Sequence, residues 1–85
     1  MKSKNIKNAN GLNEIYHQNG KIGKKYSKKD GKRDGLYQRW YDNGQLRFEG
    51  TYKDGKSNGL LRGWKSNGKL DWESTYEDGK LISDN

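Results

Sequence analysis

The sequence holds no cysteine and no proline, and only one histidine, one methionine and one phenylalanine. Without cysteine there are no disulfides and no thiolate metal sites. With His17 as the sole histidine, neither a two-histidine metal site nor a catalytic triad is expected, and its place beside a turn signal reads as solvated. No run of 18 apolar residues exists, so no transmembrane helix is predicted. The opening stretch "MKSKNIKNAN" is charged but lacks the apolar segment of a secretory signal. The expected location is therefore cytoplasmic. Hydrophobic residues are 27% of the chain, and even with its 12 glycines this falls short of the roughly 45–50% of a globular domain. A thick two-layer core is not expected in 85 residues of this composition.

Aromatic residues are present in quantity. Three Trp, six Tyr and one Phe argue against disorder, because disordered segments are poor in aromatics. The net charge of +7 is uneven: residues 1–34 hold ten Lys/Arg against three Asp/Glu, and residues 35–85 hold eight of each. The basic excess is a local feature of the first third.

Three segments align without gaps at a period of 24 residues, opening at Gly11, Gly35 and Gly59, each with Gly-Leu. Asn-Gly recurs at 19–20, 43–44 and 67–68, and Asp-Gly at 30–31, 54–55 and 78–79. An aromatic recurs at Tyr16, Trp40 and Trp64, and an aliphatic at Ile22, Leu46 and Leu70. Runs of about 7–9 residues between turn signals are strand-length. No glycine-free window carries a helical stripe. The pattern predicts an all-β protein: a single-layer, elongated antiparallel meander of successive hairpins. Residues 1–10 read as a flexible tail, 11–82 as the repeat domain and 83–85 as a C-terminal tail.

Sixteen of the 23 hydrophobic residues carry even numbers, including all three Trp and the Phe. Side chains alternate faces along a strand. A three-residue loop at Asp42-Asn43-Gly44, a type I turn followed by glycine in the left-handed conformation, pairs Tyr41 with Gln45 and Trp40 with Leu46. The same count at Lys53-Asp54-Gly55 pairs Tyr52 with Lys56 and Phe48 with Leu60. Even-numbered residues are then expected on one face throughout, with Ile15, Tyr37, Tyr41 and Leu61 as exceptions. Gly50, between Phe48 and Tyr52, reads as a bend and as room for a ring from the next strand.

These residues resemble a known family. "FEGTYKDGKSNG" (48–59) is similar to the MORN repeat, and "GLYQRWYDNGQLRFEG" (35–50) to its bacterial variant. The third segment keeps Trp64, "NGKL" and "TYEDGK", with Ser74 where Gly50 stands. The first departs most, with Lys24 in place of Phe48 and Lys28 in place of Tyr52. The resemblance implies β-hairpins in one curved sheet and no single activity. Related repeats serve as interaction scaffolds, dimerisation surfaces or, in some proposals, phospholipid-binding surfaces. Several bacterial members are labelled antitoxin components, which implies a toxin as partner.

Two candidate sites emerge. The first is an aromatic face of Trp40, Phe48, Tyr52, Trp64, Trp72 and Tyr76, expected to contact another protein or a second copy of the chain. The bland alternative is ring-on-ring packing. The second is the basic stretch Lys24, Lys25, Lys28, Lys29, Lys32 and Arg33, for an anionic partner: lipid headgroups first, nucleic acid last, with Tyr26 available to stack on a base. Its bland alternative is edge protection by lysine on a terminal strand. The turn aspartates, Asp54 and Asp78 among them, are explained by turn chemistry. No phosphate-loop spacing occurs. Non-catalytic binding without a cofactor is the expected function.

Overall fold

The computed structural model describes residues 5–84. Among them lie eight strands: β1 (Gly11–Tyr16), β2 (Ile22–Lys29), β3 (Lys32–Trp40), β4 (Leu46–Lys53), β5 (Lys56–Ser57), β6 (Gly59–Trp64), β7 (Leu70–Glu77) and β8 (Lys80–Asp84). They form one antiparallel sheet in the order β1-β2-β3-β4-β6-β7-β8, with β5 also paired to β4. Its extents are 43 × 35 × 11 Å, the thickness of one layer.

The two turn types alternate between opposite ends of the strands. At Asn43-Gly44 the expected three-residue loop forms. Gly44 N donates to the Tyr41 carbonyl (3.0 Å), Tyr41 N donates to the Gln45 carbonyl (2.8 Å), and Gly44 has φ +90°. The Asn43 carboxamide accepts from Gln45 N (2.9 Å), and its Nδ2 donates to the Ser66 carbonyl of the next turn (3.1 Å). Asn19 makes the same pair of bonds, to Lys21 N and the Asp42 carbonyl.

The Asp-Gly turns depart from expectation. They are two-residue loops, pairing Lys53 with Lys56 and Tyr52 with Ser57 instead of Tyr52 with Lys56. Asp54 and Gly55 both have positive φ, 51° and 82°, which is the type I′ turn that matches the natural twist of two-residue hairpins. Each such turn is held by a segment about 22 residues earlier: Gly31, Gly55 and Gly79 donate to the carbonyls of Ala9, Arg33 and Ser57, each at 2.8 Å.

A second departure concerns the middle of each hairpin. Trp40 pairs with Leu46, yet Arg39 pairs with Phe48, so Arg47 is an extra residue on β4. Gly63 and Trp64 face Trp72 and Leu70 in the same way, making Asp71 extra. Ile15 and Tyr16 face Lys24 and Ile22, making Gly23 extra. A bulge of this kind resets which side chains share a face. Past each bulge, one face, the front, is therefore built from odd-numbered residues on β1, β3 and β6 and even-numbered ones on β2, β4 and β7, while Ile22, Leu46 and Leu70, before the bulge, fall to the back. The uniform even face does not form. Phe48 pairs with Gly63, not with Leu60.

A row crosses the front from strand to strand: Asn13, Tyr26, Tyr37, Gly50, Leu61, Ser74 and Asp84. Gly50 falls opposite Leu61 by continuing the Phe48–Gly63 and Glu49–Arg62 pairs. Tyr37 and Leu61 are the buried hydrophobic residues, Asn13 and Ser74 the buried polar ones. Gly50 and Gly63 are buried as well. All six lie on the front, so the thin core sits on that side. The back carries a polar row, Glu14, Lys25, Gln38, Glu49, Arg62 and Glu73.

The N-terminal end of the sheet is hydrogen-bonded to the residues before it. Ile6 and Glu14 exchange backbone hydrogen bonds (2.7 and 2.8 Å). Asn13, 1% exposed, accepts from Asn8 N (2.6 Å) and donates to the Asn8 carbonyl (2.8 Å). Part of the segment read as a tail, residues 5–10, thus carries contacts to the sheet, and residues 1–4 lie outside the described residues. At the other end Ser83 and Asp84 belong to β8, and residue 85 lies outside the described residues.

A Cβ at Gly50 would stand 2.9 Å from Leu61 Cγ and 3.0 Å from Phe48 Cζ. Gly50→Ala is expected to destabilise the protein by about 1–3 kcal/mol through overpacking. Replacing a strand glycine otherwise favours folding by roughly 0.5–1 kcal/mol, so the sign is diagnostic. Urea denaturation reads it, and a raised midpoint would contradict this packing.

Candidate functional site

Missing side chains create the front surface. Tyr37 pairs across to Gly50, and its ring lies between Phe48 (5.8 Å between centroids, edge-on) and Tyr52 (5.6 Å). Tyr26 stacks on Tyr37 at 5.1 Å. One strand further along, Gly63 pairs with Trp72, whose indole nitrogen occupies the space a Gly63 side chain would need. That vacancy brings Trp72 to Phe48, 5.9 Å away across β6. The rings form a continuous sequence from Tyr26 on β2 to Trp72 on β7, each contact contributing about 0.5–1.5 kcal/mol beyond burial.

Cations are set among these rings. The Arg33 guanidinium lies 4.5 Å from the Tyr37 centroid, 5.5 Å from Tyr52 and 5.8 Å from Tyr26. Lys28, its cross-strand partner, is 5.9 Å from Tyr26, and Arg47 is 5.3 Å from Tyr41. Lys24 pairs with Arg39 one row away. A hollow of about 310 Å³ opens between Arg39, Tyr41, Arg47, Phe48, Asp71 and Trp72, with Trp64 also on its wall. The Tyr41 hydroxyl donates to the Trp64 carbonyl (2.8 Å) at the margin, as His17 Nε2 does to the Trp40 carbonyl (2.8 Å).

Charge divides unequally between the faces. On the back, Gln38 donates to Glu49 (2.8 Å), and Arg62 donates to Glu73 (2.6 Å) as an ion pair between neighbouring strands. On the front, β2–β4 carry Lys24, Lys28, Arg33, Arg39 and Arg47. The acids of those strands, Asp34 and Glu49, alternate to the back. The front acids are further along: Asp71 at the hollow and Asp84, which accepts from the Ser74 hydroxyl (2.7 Å). Arg39 and Arg47 have no carboxylate partner among the described residues.

The hairpin at the centre of this surface matches a family model. Residues 33–54 match the MORN repeat variant. The match supports a MORN-repeat protein. No curated protein and no solved structure matches the chain. The matched hairpin, β3–Asn-Gly turn–β4, supplies Arg33, Tyr37, Arg39, Arg47, Phe48 and Tyr52, most of the ring-and-cation surface.

The structure regroups both sets of residues expected from the sequence. Of the six aromatics, Phe48, Tyr52, Trp72 and Tyr76 share the front, while the register pairs Trp40 with Leu46 and Trp64 with Leu70 on the other side of the bulges, from where Trp64 still borders the hollow. The bulges at Arg47 and Asp71 separate them. The basic stretch divides three and three: Lys24, Lys28 and Arg33 on the front, Lys25, Lys29 and Lys32 on the back. Nor does it guard an edge, since β2 is flanked on both sides by β1 and β3. Tyr26, named with the basic stretch, lies on this surface, and Tyr37, Arg39 and Arg47 enter it as well, hidden in the sequence by the strand-by-strand parity switch. Among the described residues no three His, Cys, Asp or Glu side chains gather as a metal site.

In a Trp40→Phe/Trp64→Phe background, Trp72 is the only tryptophan. Adding Gly63→Ala there is expected to push the indole off Gly63 and shift its emission to longer wavelength. Unchanged emission from a folded variant would contradict the ring-over-glycine contact.

Proposed function

We propose that this protein is a non-catalytic binding module of three MORN-type repeats, of the bacterial variant, whose working surface is the front of the sheet. The flanking segments are diverged copies of the matched hairpin, since both repeat its Asn-Gly loop, its bulge and its type I′ turn at the 24-residue spacing. The partner is a macromolecule that presents negative charge. The observation that carries this reading is the set Lys24, Lys28, Arg33, Arg39 and Arg47 interleaved with rings on the front of β2–β4, where no acid of those strands shares their face, whereas on the back Asp34 and Glu49 share the face with Lys25, Lys29, Lys32 and Lys53. Clefts and faces of one sign concentrate partners of the other.

Retention on immobilised heparin tests which face is used. Lys24→Gln/Arg39→Gln/Arg47→Gln and Lys25→Gln/Lys29→Gln/Lys53→Gln each remove three charges, the first set from the front and the second from the back. The front variant is expected to elute at distinctly lower salt than the back variant, because clustered contacts release more counterions. Elution of the two variants at the same salt would show net charge alone at work and would sink the reading.

A further inference from the structure

We propose that the front of the sheet binds single-stranded nucleic acid, with the hollow between Arg39, Arg47, Phe48 and Trp72 receiving a base. This inference rests on the reading of the front as the working surface and names its partner. A single strand brings a planar ring and a negative charge with every unit. Surfaces that hold it without sequence preference combine a cationic track with stacking platforms. Both parts are interleaved here. Lys24 and Arg39 are cross-strand neighbours in one row, Lys28 and Arg33 in another, and between the rows Tyr26 stacks on the buried Tyr37, which backs it as a support. Trp72 is 39% exposed although it packs on Phe48, so one indole face is open to a stacking base. At about 310 Å³ the hollow admits a nucleobase, and its wall carries two guanidiniums to one carboxylate, Asp71, which forms an ion pair with neither. An acidic protein segment would satisfy the guanidiniums but leave the rings without an occupant. A membrane surface would leave the hollow unfilled.

The test is fluorescence anisotropy of a labelled short oligouridylate with the full chain. Polyglutamate of equal charge and vesicles containing phosphatidylserine serve as competitors. Five phosphate contacts at about −0.7 each predict a log–log salt slope near −3.5, roughly a 100-fold loss of affinity between about 50 and 200 mM salt. Arg39→Gln is expected to flatten that slope by about 0.7. Trp72→Ala, checked for fold by circular dichroism, is expected to weaken binding about tenfold or more. In the Trp40→Phe/Trp64→Phe background, oligouridylate is expected to quench the remaining indole. Oligouridylate that binds no tighter than polyglutamate, or binds without quenching Trp72, overturns the inference. Tighter binding to polyglutamate or to the vesicles also overturns it. If either competitor wins while the front variant still elutes early from heparin, the front remains the working surface with a different partner.

Discussion

One extra residue in each Asn-Gly hairpin decides what the two sides of this sheet are. Leu46 and Phe48 would share a face on a regular strand. The bulge at Arg47 leaves Leu46 with Trp40 on one side and puts Phe48 with Arg39 and Tyr37 on the other. Gly23 and Asp71 repeat the device at the same spacing. The type I′ Asp-Gly turns then carry the new pairing into the next hairpin without cancelling it. Remove the extra residue and the rings of the front are dispersed between two faces.

A sheet one layer thick has nothing behind it to bury its apolar side chains, and the repeat meets this by packing rings sideways into glycine positions. Phe48, with Leu61 of the next strand, uses the space at Gly50, and Trp72 the space at Gly63. The same rows leave Leu36 and Leu60 on the back, half exposed. The front is thus both the core and the surface of the molecule. Guanidinium groups complete it, since an arginine can cover a ring and still keep its charge in water. This dual role makes the same residues candidates for stability and for binding.

Much of this was legible in the sequence. The 24-residue period, the strand lengths and the Asn-Gly loop with glycine in the left-handed region follow from turn chemistry and alternation, which act over a few residues. Gly50 was readable as space, though the ring that fills it is Phe48 of its own strand and the next strand contributes Leu61. The division of the faces was not. Asp-Gly suits either loop length, and φ above zero at Asp54 is settled by the twist of the strands and by the Arg33 carbonyl that Gly55 meets. No residue type marks the bulge, for its three occupants are Gly23, Arg47 and Asp71. Ile15, Tyr37, Tyr41 and Leu61, odd-numbered exceptions to a uniform pattern, are the residues whose positions exposed the switch. The basic stretch misled for the same reason, since neighbours in sequence alternate between faces.

The cross-strand contacts of β3 and β4 test this most directly. Nuclear Overhauser spectra of the folded protein should connect Arg39 with Phe48 across the strands, Trp40 with Leu46, and the ring of Tyr37 with that of Phe48. Contacts between the Trp40 and Phe48 rings, with Arg39 placed opposite Arg47, would mean an unbulged hairpin and would contradict the account.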